Sequence, residues 1–474
     1  MLVCLAMVAV AVAMRAVSAR SPFKPRYIVM VSIDTCRADH LGAYGYGRPT
    51  SPSFDRIARQ GTLFTNAFSQ SDESLFSYGS ILTGRYPGDV APLRHATYRV
   101  PADVPTLASR LQAHGVPTAA YVAGGHLSHQ YGFSRGFDTY RDEWSFGSFR
   151  DTVPKALERL EQAVADRTGL FLFVQGYDLH DPYHKPEGFD RLYDADYQGV
   201  AETVAARRAG VEWVYRNKWY AEPPRGTLLT QVLSSPDTAL LEPVLQRFER
   251  AGASATSLGE RDLAHLTAVY DASVTYADLW LGVLAARIEK LGIRDETLLI
   301  VFGDHGEELG ERGVFGHRGS LVDTVLHVPL AFWGGAEVTR GRSVSSLVEL
   351  RSLLATVADY AGVAVETTSA PSLRSLVNGE SGGGREGVVS QAPLPGASVR
   401  DARHRLVFNE RACGEAPLTE RIVQAPIDAA HFSLYDEGAG AGETRDLVSS
   451  AEAPQIVERL RRLLIAALKG DQGR

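Results

Sequence analysis

The sequence YIVMVSI at Tyr27–Ile33 decides the fold class, because it is a continuous apolar and β-branched run that ends at Asp34. Its length and its lack of polar alternation predict a strand that is buried on both faces. GLFLFVQ at Gly169–Gln175 and TLLIVF at Thr297–Phe302 repeat the pattern, and Thr118–Val122 is a weaker fourth example. These runs indicate a sheet whose strands are mostly parallel.

Helical patterns lie between and after these strands. In Asp262–Leu291 apolar residues recur at three- and four-residue steps, and Gly292 follows as a typical helix-ending residue. Thr106–His114 predicts a shorter helix. The alternation of buried strands and helices indicates an α/β fold with helices on both faces of the sheet. Later in the chain we predict helices at Leu347–Ala361 and Gln455–Leu468, and strands at Arg405–Asn409 and His431–Tyr435.

The composition is that of a folded protein with a large apolar core. The chain has 474 residues, a formal net charge of -7, 45% hydrophobic and 22% charged residues, which excludes a disordered, collagenous or multi-span membrane protein. The mild acidity and the lack of basic blocks argue against nucleic-acid binding. The three cysteines are too few for a disulfide framework and have no zinc-binding spacing.

The amino terminus has the features of an export signal. Residues 1–14, MLVCLAMVAVAVAM, are apolar and uncharged, and small residues follow at Val17–Ala19. This pattern predicts a signal peptide over residues 1–19 and therefore a periplasmic or secreted protein. Two alternatives stay open: an uncleaved membrane anchor, or translation from Met14 and a cytoplasmic protein. Membrane contact is expected only if the segment is retained.

Polar residues follow three of the predicted strands. Asp34 follows the first, His180 lies just beyond the second, and Asp304 and His305 follow the third. In open α/β sheets ligands bind beyond the carboxyl ends of the strands, so these side chains are expected to converge on one rim. Two carboxylates held close together repel each other unless a divalent cation lies between them. The rim is therefore a predicted cation site, although an Asp after a strand is also common in simple turns.

A serine stands at the start of another predicted helix, in SQSDESLFSYGSILTGRYP at Ser69–Pro87. We expect Ser71 or Asp72 to cap a helix that runs through Leu82, which places Ser74 in its first turn. A hydroxyl at that end of a helix, beside a cation, can be activated as a nucleophile. On spacing alone, a helix-start serine without chemistry is the commoner case.

Longer blocks of the sequence resemble the sulfatase family of the alkaline-phosphatase superfamily. VSIDTCRADHLGAYGYGRPTSPSFDRIARQGTLFTNAFSQ at Val31–Gln70 is similar to the opening of that family. Similar blocks follow in the family's order at Ser80–Pro87, Arg135–Tyr140, Phe171–Pro186, Val269–Leu330 and Leu434–Val448. Ordered matches across nearly the whole chain are far more specific than one motif.

The resemblance implies an alkaline-phosphatase-like three-layer α/β sandwich with a mostly parallel central sheet and a small C-terminal α+β subdomain. We expect the catalytic domain at residues 26–340 and the subdomain at residues 341–474. Residues 186–260 are expected to form an insertion, because they match no part of the family pattern.

The resemblance also implies one divalent metal, usually calcium, with Mn²⁺ and Zn²⁺ as alternatives. Thr35 stands where the family often has a second Asp, so the cation has one carboxylate fewer. His180 matches a substrate-binding histidine, and His317 matches a residue that contacts the ester and can aid departure of the leaving group. The implied metal ligands are Asp34, Asp304, His305 and Ser74.

The chain departs from the family around the nucleophile. Sulfatases carry Cys or Ser in a Cys-x-Pro-x-Arg-like motif, where that residue is oxidised to formylglycine. Here Phe76 stands at the Pro position and Tyr78 at the Arg position, so we expect Ser74 to stay an unmodified serine. Gly124–Leu127 retains a substrate-binding candidate, His126, but lacks the family's Lys.

Three functions remain open from the sequence. The first is a metal-dependent hydrolase of sulfate esters, in which Ser74, His180 and His317 act on a small-molecule or glycan ester. The second is a phosphate or phosphonate ester hydrolase, or a phospho-alcohol transferase, because an unmodified serine lacks the elimination route of a formylglycine hydrate. The third is a degenerate member that only binds an anion, against which the intact polar rim argues.

Overall fold

The computed structural model describes residues 24–94, 97–143, 146–180, 189, 191–198, 258–312, 314–317, 319–365, 370–393, 396–410, 416–437 and 446–472. The expected signal or anchor at residues 1–19 and most of the expected insertion at residues 186–260 lie outside these ranges.

The strands largely match the apolar runs of the sequence. They are β1 (Tyr27–Ile33), β2 (Thr62–Phe68), β3 (Thr118–Tyr121), β4 (Thr139–Arg141), β5 (Leu170–Gly176), β6 (Thr297–Gly303), β7 (Glu308–Leu309), β8 (Phe315–Gly316), β9 (His327–Gly334), β10 (Arg342–Val344), β11 (Val348–Glu349), β12 (Val388–Gln391), β13 (Ala397–Arg400), β14 (His404–Phe408) and β15 (Phe432–Asp436).

The helices are α1 (Pro52–Gln60), α2 (Ser74–Thr83), α3 (Pro87–Val90), α4 (Leu107–Ala113), α5 (Phe149–Ala165), α6 (Glu260–Lys290), α7 (Asp323–Leu326), α8 (Ser352–Ala361), α9 (Arg374–Val377), α10 (Leu418–Gln424) and α11 (Ala453–Gln472). Within the described ranges, none of them has both the length and the apolar content needed to cross a membrane.

One large sheet organises the amino-terminal part of the described chain. It contains nine strands among the described residues, in the order β10-β2-β9-β6-β1-β5-β3-β4, with β11 also paired to β2. β1 is central and pairs in parallel with both β5 and β6 along its full length. β9 is antiparallel to β2 and β6, so the sheet is mostly parallel, as predicted.

Each face of this sheet carries its own hydrophobic layer. Ile28 and Met30 of β1 point to the face that α2, α4 and α8 cover. Val29 and Val31 point to the opposite face, which α1, α5 and α6 cover. Because successive strand residues alternate between faces, a strand covered on both sides must be apolar throughout. The described residues therefore form the predicted three-layer α/β sandwich.

A second, antiparallel sheet forms the carboxy-terminal subdomain. Its strands follow the order β12-β13-β14-β15, and α10 and α11 pack on them around a separate apolar core. The predicted division after residue 340 lies before β10, β11 and α8, which all belong to the large sheet and its core. By strand pairing, the second sheet begins at Val388.

The helix predicted over Leu347–Ala361 is correct only from Ser352 onward. The preceding residues, Val348 and Glu349, pair with β2 as an extended strand instead. Their periodicity is compatible with a helix, but the open edge of β2 offers them backbone hydrogen bonds. Tertiary pairing thus overrides the local pattern.

A buried charge cluster fastens the two sheets together around Glu349. Its Oε2 accepts hydrogen bonds from Arg351 Nε at 2.8 Å, and Arg385 Nε lies 3.2 Å away. Its Oε1 accepts from Tyr86 Oη at 2.9 Å and from the backbone N–H of Val389 in β12 at 3.0 Å. These bonds from both carboxylate oxygens compensate for the removal of Glu349 from water.

Candidate active site

The acidic side of the candidate site lies at the carboxyl ends of β1 and β6. Asp34 directly follows β1, and Asp304 and His305 directly follow β6. The two strands pair in register, with Ile33 opposite Gly303, so the residues after them lie side by side. All three side chains are buried, and each offers one potential metal-ligand atom that lies within 4.8 Å of the other two. The predicted convergence of these residues is confirmed.

Local hydrogen bonds set the orientation of this group. His305 Nδ1 lies 2.8 Å from the carbonyl of Gly306, which requires a hydrogen on Nδ1 and leaves the Nε2 lone pair for the site. Asp304 Oδ1 accepts from the Thr35 N–H at 3.2 Å. Asp304 Oδ2 lies 3.5 Å from His305 Nε2 and accepts no hydrogen bond from the residues that the structure describes.

Thr35 turns the chain at this point. Its φ of 53° lies in the left-handed region, which is unusual for a β-branched residue. Tyr270 of α6 holds this turn, because its Oη donates to the Thr35 carbonyl at 2.7 Å and accepts from the Arg37 N–H at 2.9 Å. Thr35, which stands where the family often has a second Asp, thus forms a strained turn beside the site.

Ser74 approaches the acidic group from the other side. Its Oγ lies 3.0 Å from Asp34 Oδ2 and 3.1 Å from His305 Nε2, and the side chain is buried. Together with Asp304, these residues offer carboxylate, hydroxyl and imidazole donors around one point. Ca²⁺, Mn²⁺ and Zn²⁺ all accept ligands from this set, so the residues fit a divalent cation.

The start of α2 differs from the prediction in one respect. The helix begins at Ser74 and ends before Gly84, whose φ is 72°, but its N-cap is Glu73 and no side chain caps it. The expectation that Ser71 or Asp72 caps α2 is therefore wrong. Asp72 instead accepts hydrogen bonds from Gly319 and Ser320, in a distant part of the chain.

Two further residues of α2 fix it to the strand ends. Ser77 Oγ donates to the carbonyl of Asp304 at 2.8 Å. Tyr78 Oη lies 2.9 Å from Ser32 Oγ in β1, and both groups are fully buried. Burial and the charges of Asp304 and Asp34 raise the pKa of Tyr78, which keeps it neutral. The position of the family's Arg is thus filled by an uncharged group bonded to β1.

The two histidines predicted to bind the ester face each other. His180 Nε2 and His317 Nε2 are 3.3 Å apart, and the rings of His317 and His305 are 4.4 Å apart between centroids. Both His180 and His317 are buried. The structure therefore joins Ser74, His305 and this histidine pair in one cluster.

His126 lies farther along the same wall. Its ring centroid is 6.3 Å from that of Phe146, which in turn lies 5.8 Å from that of His180. Phe146 has a φ of 57°, an unusual value for an aromatic residue. Aromatic rings and imidazoles thus alternate along this side of the site, and the substrate-binding role of His126 stays a prediction.

Three neighbours of the site were not identified from the sequence. Gln175, the last residue but one of β5, has its Nε2 3.4 Å from Asp34 Oδ2, and Tyr177 Oη accepts from the His126 N–H at 3.0 Å. The third is Asp72, whose pKa is raised by burial and by the Glu73 carboxylate. A polar residue at the end of a buried apolar run is a signal that could have found Gln175.

Comparison with known proteins agrees with this geometry. The sulfatase family model matches residues 26–363. Iduronate 2-sulfatase of Homo sapiens is 24% identical over 404 residues, which cover 71% of this chain and 69% of that protein.

Two solved structures share the fold. One is a protein in complex with its substrate D-glucosamine-2-N,6-O-disulfate, with a TM-score of 0.73, 17% identity, and coverage of 95% of this chain and 99% of that one. The other is the phosphonate monoester hydrolase of Agrobacterium radiobacter, with a TM-score of 0.68, 17% identity, and coverage of 94% and 96%. Since the family model spans most of the sequence, the chain belongs to the sulfatase family of the alkaline-phosphatase superfamily.

Proposed function

We propose that the protein is a metal-dependent hydrolase of sulfate esters and that the unmodified hydroxyl of Ser74 is its nucleophile. The observation that carries the proposal is the buried position of Ser74 Oγ, 3.0 Å from Asp34 Oδ2 and 3.1 Å from His305 Nε2. The Asp34 carboxylate at hydrogen-bond distance can accept the proton that the serine must lose, and His305 Nε2 offers its lone pair to a cation beside it.

The metal of this proposal is one divalent cation held by Asp34, Asp304, His305 and Ser74, with Ca²⁺ as the first candidate and Mn²⁺ and Zn²⁺ as alternatives. When bound, such a cation polarises a non-bridging ester oxygen and lowers the pKa of the serine hydroxyl. The protein contributes a dry and rigid site, because all four side chains are buried.

The residues then divide the reaction between them. Ser74 loses its proton to Asp34 Oδ2, and its Oγ bonds to sulfur as the bond between sulfur and the alcohol oxygen breaks. His317 or His180 supplies a proton to the departing alcohol oxygen. Water then cleaves the serine sulfate, which releases sulfate and restores the hydroxyl. The amino-terminal end of α2 favours the negative charge of the ester group.

The relatives support an anionic ester as substrate. The name of iduronate 2-sulfatase refers to a sulfated sugar as substrate, and the solved structure contains a glucosamine disulfate as its substrate. We therefore propose a sulfated glycan or a small sulfate ester as the first substrate class to test.

A phosphonate or phosphate ester is the second candidate. It is favoured by the residues around Ser74, because Phe76 and Tyr78 replace the family's Pro and Arg and leave serine as the nucleophile. A serine phosphoester can be hydrolysed by activated water without the elimination route of formylglycine. The likeness in fold to a phosphonate monoester hydrolase is compatible with this candidate. Transfer of a phospho-alcohol to an acceptor is a variant of the same chemistry.

The test combines metal analysis with an activity assay of the purified protein. Aryl sulfate, phosphate and phosphonate esters are offered with Ca²⁺, Mn²⁺ or Zn²⁺, with and without a chelator, and product analysis with an added alcohol detects transfer. We expect turnover of the sulfate ester that requires the metal. Turnover of the phosphonate alone would favour the second candidate, and no turnover of any ester would leave an anion-binding protein.

Mass spectrometry of the peptide that contains Ser74 tests the nucleophile separately. We expect the mass of unmodified serine. A mass lower by about two hydrogens would show the aldehyde and contradict the proposal.

A further inference from the structure

Asp72 connects two segments of the site that are far apart in the sequence. It lies two residues before Ser74 and is fully buried. Its carbonyl oxygen lies 2.7 Å from His317 Nδ1, and its Oδ2 accepts from the backbone N–H groups of Gly319 at 2.7 Å and Ser320 at 3.1 Å. One residue thus holds both the ring of His317 and the chain that follows it.

The contact with the carbonyl fixes which nitrogen of His317 faces the site. A carbonyl only accepts hydrogen bonds, so His317 Nδ1 must carry a hydrogen. Nε2 is then the nitrogen directed toward His180 Nε2, at 3.3 Å. A proton on Nε2 would lie on the side of the ring that faces His180.

The contact with the side chain fixes the backbone that carries the ring. Gly319 has a φ of 77°, a value that glycine adopts without strain, and the successive N–H groups of Gly319 and Ser320 meet the same carboxylate oxygen. Two such bonds to one buried acceptor restrict the segment after His317 more than one bond would. Small changes in the position of a proton donor have large effects on rate.

We propose that Asp72 is a positioning residue that holds His317 so that its Nε2 presents a proton to the departing alcohol oxygen. This inference rests on the proposed ester hydrolysis and adds a role for a residue that does not touch the substrate. In this step His317 starts with a hydrogen on both ring nitrogens, passes the one on Nε2 to the alcohol oxygen as that oxygen leaves sulfur or phosphorus, and keeps the one on Nδ1.

The experiment compares esters of two leaving groups in the unaltered protein, Asp72→Ala and Asp72→Asn. Proton donation matters little for the 4-nitrophenyl ester, whose leaving group is stable as an anion, and matters much for the phenyl ester. We expect Asp72→Ala to lower kcat for the phenyl ester by about 100-fold and that for the 4-nitrophenyl ester far less. Asp72→Asn, whose amide oxygen can still accept from both N–H groups, should restore most of the phenyl ester activity.

His317→Ala supplies the matched comparison. If Asp72 acts through His317, the double variant Asp72→Ala/His317→Ala should be little slower than His317→Ala alone. Equal losses for both esters, failure of Asp72→Asn to recover activity, or additive losses in the double variant would overturn the proposal.

A measurement on the unaltered protein covers the case in which Asp72→Ala does not fold. Nitrogen-15 NMR of histidine-labelled protein, with His317 assigned by comparison with His317→Gln, reports which ring nitrogen carries the hydrogen. We expect Nδ1 to carry a hydrogen whether or not Nε2 is also protonated, and a lone pair on Nδ1 would overturn the proposal. The NMR result does not depend on turnover, so failure of the proposed function would show only in the ester assays.

Discussion

The two sides of the candidate site are held in place in different ways. On the strand side, Asp34, Asp304 and His305 come directly after strands that are paired along their full length. On the helix side, Ser74 begins α2 after the loop of residues 69–73, which has no regular structure of its own. The strand side is therefore fixed by its own backbone, and the helix side depends on the neighbours of its loop.

Those neighbours come from the carboxy-terminal half of the chain. Ser390 Oγ donates to the Ser69 carbonyl at 2.6 Å, and the Gln391 N–H donates to the Gln70 carbonyl at 2.8 Å. The Arg351 N–H donates to Gln70 Oε1 at 2.8 Å. The nucleophile loop is thus positioned by the first strand of the small sheet together with Arg351, whereas the large sheet positions the acidic residues. The difference teaches that one site can be assembled from a locally encoded half and a half encoded at long range.

The largest expected effects follow from substitution of one residue on each side, and metal affinity distinguishes the two substitutions. Asp34→Asn and Ser74→Ala should each lower turnover by roughly 10³-fold or more, because each removes a group that the proposed reaction requires. Asp34→Asn should also weaken metal binding by more than about 100-fold, whereas Ser74→Ala, which removes a neutral ligand, should weaken it far less. Initial rates and calorimetric metal titration measure the two effects.

Ser80→Ala is the matched control for this comparison. Ser80 lies on the same helix, but its Oγ donates to the Arg85 carbonyl at 2.7 Å, away from the acidic group. Its turnover and metal affinity should stay within a few-fold of the unaltered protein. An equal decrease in metal affinity in Ser74→Ala and Asp34→Asn would contradict the distinction between the two sides.

The next effect tests the buried charge cluster around Glu349 that joins the two sheets. Glu349→Gln should lower the free energy of unfolding by about 3–5 kcal/mol, because it leaves the buried Arg351 guanidinium without its charge partner. Glu289→Gln breaks the more exposed pair with Arg56 and should lower it by less than about 1 kcal/mol. Urea unfolding gives both values. Similar losses in the two variants would show that the buried ion pair of Glu349 contributes no more to stability than the exposed pair.

The strand side was the more predictable half of the site. Asp34 and Asp304 could be placed together because each follows a long apolar run, and parallel strands end at one edge of the sheet. The likeness to the family located Ser74, but not the contacts that hold it. Asp72 meets Gly319 and Ser320 across about half the chain, and no local pattern encodes such a pairing.

The same contrast explains where the predicted helices and strands differ from those of the structure. The strands and helices with strong periodicity were identified to within a few residues, as in Glu260–Lys290. Val348–Glu349 was assigned to a helix because a two-residue strand has no detectable period. Its conformation depends on the free edge of Thr62–Phe68, which the local sequence does not reveal.

A third prediction uses a buried carboxylate outside the site. Asp278 accepts from the N–H groups of Ser53 at 2.8 Å and Phe54 at 2.7 Å, and burial raises its pKa from 3.8 to about 6. Between these values the unfolded chain ionises while the folded chain keeps the proton, so the contribution of Asp278 to stability is fully present below pH 4 and is lost as the pH rises through 6. This group should remove about 3 kcal/mol of stability over that range.

Asp278→Asn isolates that contribution. The difference in unfolding free energy between the two proteins, measured in urea at several pH values from 4 to 7, should change by about the amount stated, while the turnover of the variant should stay near normal. A pH-independent difference would show that Asp278 ionises alike in both states. Loss of turnover would place this carboxylate with Asp34 rather than with the structural groups.

The smallest effect concerns one of the hydrogen bonds that join the two sides, between Tyr78 of α2 and Ser32 of β1. Tyr78→Phe leaves the buried Ser32 hydroxyl without its partner and should lower the free energy of unfolding by about 1–3 kcal/mol. Adding Ser32→Ala removes the second polar group and should restore part of the loss. Denaturant unfolding of the single and double variants measures this coupling, and strictly additive losses would contradict it.

The central position of β1 has a consequence for synthesis of the chain. Tyr27–Ile33 leaves the ribosome before every other strand of the large sheet that the structure describes, but its two neighbours are Leu170–Gly176 and Thr297–Gly303. At about 5–20 residues per second, translation from Ile33 to Gly303 takes roughly 15–50 s. Until Gly176 has been made neither edge of this apolar strand can pair, and the edge that pairs with β6 stays open until Gly303 follows, a state that favours aggregation. The growing chain is therefore expected to depend on chaperones that cover this segment until β6 has been made.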